Sequence, residues 1–187
     1  HRHGFAKSRG NIKIREKHML KYLIPLAIII TTIQINAQDY KIIPDEKNGE
    51  PLILGYCPAS LIIDSLFKDT WNAEYNNYQP DFETLDSLEG KLEDVTIKIV
   101  FRSTCSDSRE QLPRLFKVLN ELNYDVNTIT LIGVNREKQS LSNEAEGLEI
   151  ELVPTIIFYK NGSEIGRIVE TPEESLEKDL LKIILES

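Results

Sequence analysis

The back half of the chain alternates between two hydrophobic periods. Val95-Thr96-Ile97-Lys98-Ile99-Val100-Phe101 is rich in β-branched residues and predicts a buried strand. From Ser106 the apolar positions Leu112, Leu115, Phe116, Leu119 and Leu122 recur at helical spacing. Ile129 to Val134 predicts a second strand and Ile156 to Tyr159 a third. Lys160-Asn161-Gly162-Ser163 is a hairpin signal, and Ile165 to Val169 follows as a fourth strand. Glu173 to Glu186 closes as a helix with Leu176, Leu180, Ile183 and Ile184 on one face. This order predicts an α/β class, a central mixed sheet flanked by helices.

The middle of the chain is less regular. Residues 38–50 are polar, carry Pro44 and Asn48-Gly49, and predict a linker. Leu52-Ile53-Leu54 is a short strand candidate. Pro58-Ala59-Ser60 opens a helix whose apolar side runs Leu61, Ile62, Leu66, Trp71, Tyr75 and Tyr78 and which stops before Pro80. Asp81 caps a second short helix with Phe82, Leu85 and Leu88 on one face, closed by Gly90. Residues 51–90 are therefore a helical N-terminal extension to an α/β domain at 91–187. The Trp71, Tyr75 and Tyr78 cluster is expected to supply packing area rather than a binding face.

Residues 1–37 read as an address. Met19 is the only methionine; Lys21, the apolar run from Tyr22 to Ile30 and the small residue Ala37 come after it. A positive start, a short apolar stretch and a small-residue exit describe a secretory signal peptide. The run is short of the roughly 20 residues of a membrane span. It predicts a periplasmic or secreted protein, with membrane contact only if the segment stays uncleaved. Residues 1–18 are basic and read as sequence upstream of a true start at Met19.

Charge and rare residues narrow the chemistry. The chain holds 22 Lys+Arg and 30 Asp+Glu; residues 38–187 alone hold 15 basic and 29 acidic residues, a net charge of −14. Such a surface repels nucleic acid. All three histidines lie within the first 18 residues. With that leader removed, histidine-based triads, general bases and metal sites are excluded. Two cysteines are too few for a disulfide scaffold or a four-thiolate zinc site. No cofactor and no metal are expected.

One cysteine stands where chemistry is favoured. Cys105 falls between the strand ending at Phe101 and the first turn of the next helix. A thiol there meets the positive end of the helix dipole and unpaired N–H groups, which favour a thiolate more acidic than the free value of about 8.5. Thr104 with Asp107 resembles a capping box, and Ser108 lies three residues on, on the same helix face. Pro113 sits eight residues after Cys105, and Val153-Pro154-Thr155 precedes the third strand. An X-Pro bond reaches cis at low cost and fixes a tight turn.

These elements together resemble the thioredoxin superfamily. The family runs strand, C-x-x-C at a helix start, a kink proline, a cis-proline loop and a hairpin. Here Cys105-Ser106-Asp107-Ser108, Pro113, Val153-Pro154-Thr155, Lys160-Asn161-Gly162 and Gly166 occur in that order. The chain looks especially like secreted bacterial thioredoxin-like proteins whose motif reads C-x-D-S. The resemblance implies a thioredoxin-like fold over 91–187 and a catalytic Cys105 supported by Ser108. It also implies a partner-docking surface made by Thr104, Val153, Pro154 and Thr155. Three departures stand against it. Ser108 replaces the second cysteine, Thr104 the usual tryptophan, and Ile99 the buried aspartate. A dithiol cycle cannot run within the motif; attack by Cys105 stops at a mixed disulfide. Cys57, the other sulfur, has three open roles: resolving thiol, structural partner of Cys105, or small core residue.

The resemblance thus implies monothiol redox exchange, suited to an oxidoreductase or isomerase, with a protein or low-molecular-weight thiol or disulfide as partner. The alternative is a non-catalytic binding module on the same scaffold.

Overall fold

In a computed structural model, the structure describes residue 1 and residues 39–187. The leader and signal-peptide readings fall outside the described residues. The sheet and its helices all belong to the unit Asn36–Ser187.

Six strands form one mixed sheet in the order β1-β2-β4-β3-β5-β6: β1 Tyr40–Pro44, β2 Pro51–Cys57, β3 Val95–Phe101, β4 Thr130–Gly133, β5 Thr155–Lys160 and β6 Ser163–Val169. Only β3 and β4 are parallel; every other pair is antiparallel. The three long helices are α2 Lys68–Asn77, α4 Ser106–Glu121 and α5 Leu176–Leu185. The fold is α/β and consistent with a thioredoxin-like arrangement.

The buried strand expected over 95–101 is β3, which turns apolar side chains to both faces of the sheet. Val95, Ile97, Ile99 and Phe101 face a core shared with Leu112, Leu115, Phe116 and Leu119 of α4 and with Leu176, Leu180 and Ile184 of α5. Val100 points the other way, into a smaller core with Ile132, Val134, Ala145 and Val153. That second face is covered by the segment joining β4 to β5, whose Leu148 and Ile150 pack against it. At the β5–β6 hairpin Asn161 and Gly162 both have positive φ, 53° and 79°. That backbone matches the twist of the strands it joins. Gly166 lets α5 lie close: a Cβ there would stand 2.9 Å from Ile183.

Two readings of the front need correction. The stretch read as a linker contains β1, whose five residues pair with β2 from Tyr40–Gly55 to Pro44–Pro51. Its alternation was hidden because β1 is an edge strand with mostly exposed side chains. The front is therefore a β-hairpin followed by helices, not a helical extension alone. The long helix from Ala59 is also broken into a short α1 (Ala59–Leu61), a π-turn (Ile62–Leu66) and α2, with Phe67 buried at the junction.

The aromatic cluster packs, as expected. Trp71 is buried and meets Phe116 of α4 edge-on at 5.1 Å. Tyr75 accepts a hydrogen bond from Asn120, and Tyr78 donates one of 2.8 Å to the buried carboxylate of Glu177. The second Glu177 oxygen accepts from the Asp81 amide at 2.9 Å, and the Asp81 side chain caps α3 (Phe82–Leu88). Burial and this carboxylate push the Tyr78 phenol well above its ordinary range. One α5 side chain thereby holds the join of α2 and α3. Glu177→Ala leaves a phenol and an amide without their buried acceptor, and we predict a loss of about 2–3 kcal/mol in urea unfolding with an unchanged far-UV spectrum.

Candidate functional site

The β3 chain ends at Phe101 and re-enters as α4 within four residues, so every polar group of Arg102 to Cys105 needs a partner close by. The N-terminal hairpin supplies the partners of the Ser103 and Thr104 hydroxyls. Ser103, fully buried, donates its hydroxyl to Pro51 O at 2.9 Å and accepts from Ile53 N at 3.0 Å. Thr104 Oγ1 donates to Asp45 Oδ2 at 2.7 Å. Arg109 donates Nε to Ser103 O at 2.8 Å and its terminal nitrogen to Glu50 at 2.7 Å. Nothing in the sequence marks Asp45, Ser103 or Glu50 as part of a site. Asp45 and Glu50 lie in the stretch that reads as a linker, and only strand pairing brings them to the loop.

Cys105 is the N-cap of α4. It is 9% exposed, more buried than a freely presented nucleophile, but it lies on the wall of a cleft of about 530 Å³. Its Sγ lies 3.5 Å from Asp107 Oδ2 and 3.5 Å from Val153 O. Both neighbours are acceptors, so the sulfur is hydrogen-bonded as a thiol. As N-cap it accepts no hydrogen bond from the first-turn amides of α4.

The Val153–Pro154 bond is cis. The cis turn carries the Val153 carbonyl to the sulfur, and Thr155 Oγ1 closes the turn on Leu152 O at 2.7 Å. Pro154 O accepts from Glu170 N at 2.7 Å, which ties the loop to the end of β6. Leu152 and Val153 line the cleft, whereas Pro154 and Thr155 are buried behind it.

Two sequence expectations, the capping box and the role of Ser108, are altered, while Ile99 stands as read. Thr104 does not cap α4, because its hydroxyl is held by Asp45; the Asp107 carboxylate faces the sulfur instead of closing a capping box. Ser108 is fully buried, and its hydroxyl accepts from Arg102 N at 3.4 Å. It braces the loop from behind, while the hydrogen bonds of the sulfur run to Asp107 and Val153. Ile99 is fully buried in the helix-side core, an apolar position with no proton relay.

Cys57 is placed away from Cys105. It pairs with Leu131, which pairs with Ile99 of β3. Two strand steps of ~4.8 Å put it about 10 Å sideways from β3, while Cys105 lies beyond the end of that strand. A disulfide needs Cα atoms within about 7 Å. The two sulfurs also belong to different cores, and both are free thiols. Burial raises the Cys57 thiol to about 12. The core role is the one that fits.

Asp45 is almost fully buried, and its carboxyl lies below the usual 3.8 chiefly because Thr104 donates to it, with the Lys47 amide next. Arg136, 3.8 Å away, adds to this. Among the described residues no three His, Cys, Asp or Glu side chains converge as a metal site, and no helix is long and apolar enough to cross a membrane.

This geometry generates two predictions. Native protein treated with excess maleimide at neutral pH is expected to take up one equivalent, at Cys105, and a second only after denaturation, because Cys57 is buried and protonated. The Asp45 carboxyl has a lowered folded value, so its charge stabilises the fold fully above its ordinary value of 3.8 and progressively less as pH falls through the lower folded value. Wild type is therefore expected to exceed Asp45→Asn in urea unfolding at neutral pH, with the gap closing in strong acid.

Comparison with known proteins gives one informative likeness. The chain is 34% identical over 55 residues to a thioredoxin-like protein of Acanthamoeba polyphaga mimivirus, which covers 29% of this chain and 40% of that protein. The chain thus spans about two fifths of the length of the curated relative that it matches. No family model matches, and no solved structure matches. The short likeness and the mixed sheet with its flanking helices together fit a thioredoxin-like superfamily.

Proposed function

We propose that the protein is a thiol-disulfide exchange protein that works through the single nucleophile Cys105 in an exported compartment. The observation that carries this reading is the juxtaposition of Cys105, at the start of α4, with the cis Val153–Pro154 loop, 3.5 Å from sulfur to carbonyl, on the wall of a cleft. The Cys105 S–H passes its proton to Asp107 Oδ2, the carboxylate 3.5 Å away, and the positive end of the α4 dipole opposes the charge left on sulfur. The thiolate attacks one sulfur of a partner disulfide. The S–S bond of the partner breaks, a Cys105–partner disulfide forms, and the second sulfur leaves as a thiolate.

Ser108 offers no thiol to resolve that product, and Cys57 is remote and protonated. Release therefore falls to a thiol of the partner or to an external thiol, a cycle that suits isomerisation or removal of mixed disulfides. The signal-like pattern at 19–37 supports export to a compartment in which disulfides persist.

The test is covalent trapping. Wild type and Cys57→Ala are expected to capture the same disulfide partners on non-reducing gels, and Cys105→Ala none. Loss of capture in Cys57→Ala alone would overturn the role of Cys105 and move the exchange to Cys57; identical non-covalent partners for wild type and Cys105→Ala with no adduct in either would favour the binding-module reading.

A further inference from the structure

The cleft beside Cys105 has a charge opposite to that of the chain around it. Residues 38–187 hold 29 acids against 15 bases. Yet the cleft is lined by Lys47, Arg102, Arg136 and Lys138, against Asp107 and Glu170. These cations come from separate places: the turn between β1 and β2, the end of β3, and the segment after β4. Only the folded sheet brings them together.

Most of them have few partners among the described residues, as do the lysines Lys41, Lys68, Lys91 and Lys160 elsewhere, whereas the other arginines are paired. Arg109, Arg114, Arg167, Lys178 and Lys182 each meet a carboxylate within salt-bridge distance. Arg136 reaches Asp45 at 3.8 Å, but that carboxylate already accepts from Thr104 and the Lys47 amide. The side chains of Lys47, Arg102 and Lys138 have no hydrogen-bond or ion-pair partner among the described residues, although the Arg102 charge acts on Asp45 from a longer range. The Arg102 Nε is buried and unsatisfied. The Arg102 terminal nitrogens are not fully buried and have no partner among the described residues, and a carboxylate in the cleft matches their geometry and charge. Of the two acids of the lining, Asp107 faces the sulfur, while the Glu170 carboxylate has no hydrogen-bond or ion-pair partner among the described residues, so the four cations outnumber the acids by two.

We propose that this cleft selects the disulfide of an acidic peptide segment, with carboxylates flanking the sulfur seated on Lys47, Arg102, Arg136 and Lys138. The proposal rests on the exchange reading above and names its substrate class. A cleft of about 530 Å³ with the half-exposed Leu152 on its rim has room for several residues around a disulfide, more than a lone small anion needs. The step is the exchange already written: the Cys105 thiolate joins the peptide sulfur, the peptide S–S bond breaks, and the leaving sulfur departs as a thiolate and takes a proton from solvent. The cations add attraction for the flanking carboxylates and oppose the negative charge that develops on the leaving sulfur.

The test uses three matched peptides, each activated as a disulfide with 2-thiopyridine, whose cysteine is flanked by aspartate, serine or lysine. Release of the pyridinethione reports exchange at Cys105. At low salt the aspartate peptide is expected to react roughly tenfold faster than the lysine peptide, a size typical of electrostatic steering. The ratio should shrink towards one in ~0.5 M salt. It should also shrink in Arg102→Gln and in Lys47→Gln/Lys138→Gln, and persist in Lys91→Gln, an exposed lysine outside the cleft. Equal rates, a faster lysine peptide, or a ratio indifferent to the cleft variants overturns the charge selection and leaves exchange standing. If no peptide reacts, exchange itself fails. The charge selection is then decided by anisotropy of a labelled aspartate peptide on Cys105→Ser, where binding that salt abolishes supports it and absence of binding overturns it.

Discussion

The structure depends on closing one short polar loop. Between the end of β3 and the start of α4 the chain reverses through Arg102, Ser103 and Thr104 while nearly buried. Ser103 satisfies its hydroxyl on the backbone of β2, Thr104 on Asp45, and Arg109 bridges the Ser103 carbonyl to Glu50. Each of these bonds joins residues at least fifty positions apart, except the one from Arg109 to its own loop. Cys105 takes its place as N-cap because the three residues before it are held. The N-terminal hairpin is thus part of the site, although it contributes no group to the sulfur itself.

From the other side the cis-proline loop completes the same enclosure. Val153 belongs to the small core under the second face of the sheet, as Cys105 does, and its carbonyl meets the sulfur. The sulfur therefore sits where a hairpin, a helix start and a tight turn converge. Buried behind, Ser108 reinforces the loop rather than the thiol. Ser108 thus has a structural use here, in holding the amide of Arg102.

The strands from β3 to β6, α4, α5 and the hairpin at Asn161-Gly162 were legible because each carries its own period or turn signal in consecutive residues. So were the position of Cys105 at a helix start and the cis-proline tripeptide. β1 was not legible: an edge strand with exposed Lys41, Ile42 and Ile43 has no inward alternation to display, and Pro44 suggested a loop. The π-turn from Ile62 to Leu66 was hidden for the opposite reason, since its apolar spacing is close to that of an ordinary helix.

The amino-acid sequence by itself determined the α/β class, the order of the elements and the one cysteine with a helix start behind it, because these are properties of neighbouring residues. Only the tertiary structure decided what surrounds that cysteine. It turned Thr104 from helix cap to hairpin anchor and Ser108 from sulfur partner to brace, and it sent Cys57 to another core. It also gathered Lys47, Arg102, Arg136 and Lys138 from three segments around one cleft. Contacts between residues far apart in the chain leave no local period, and they exist only once the strands have paired in register.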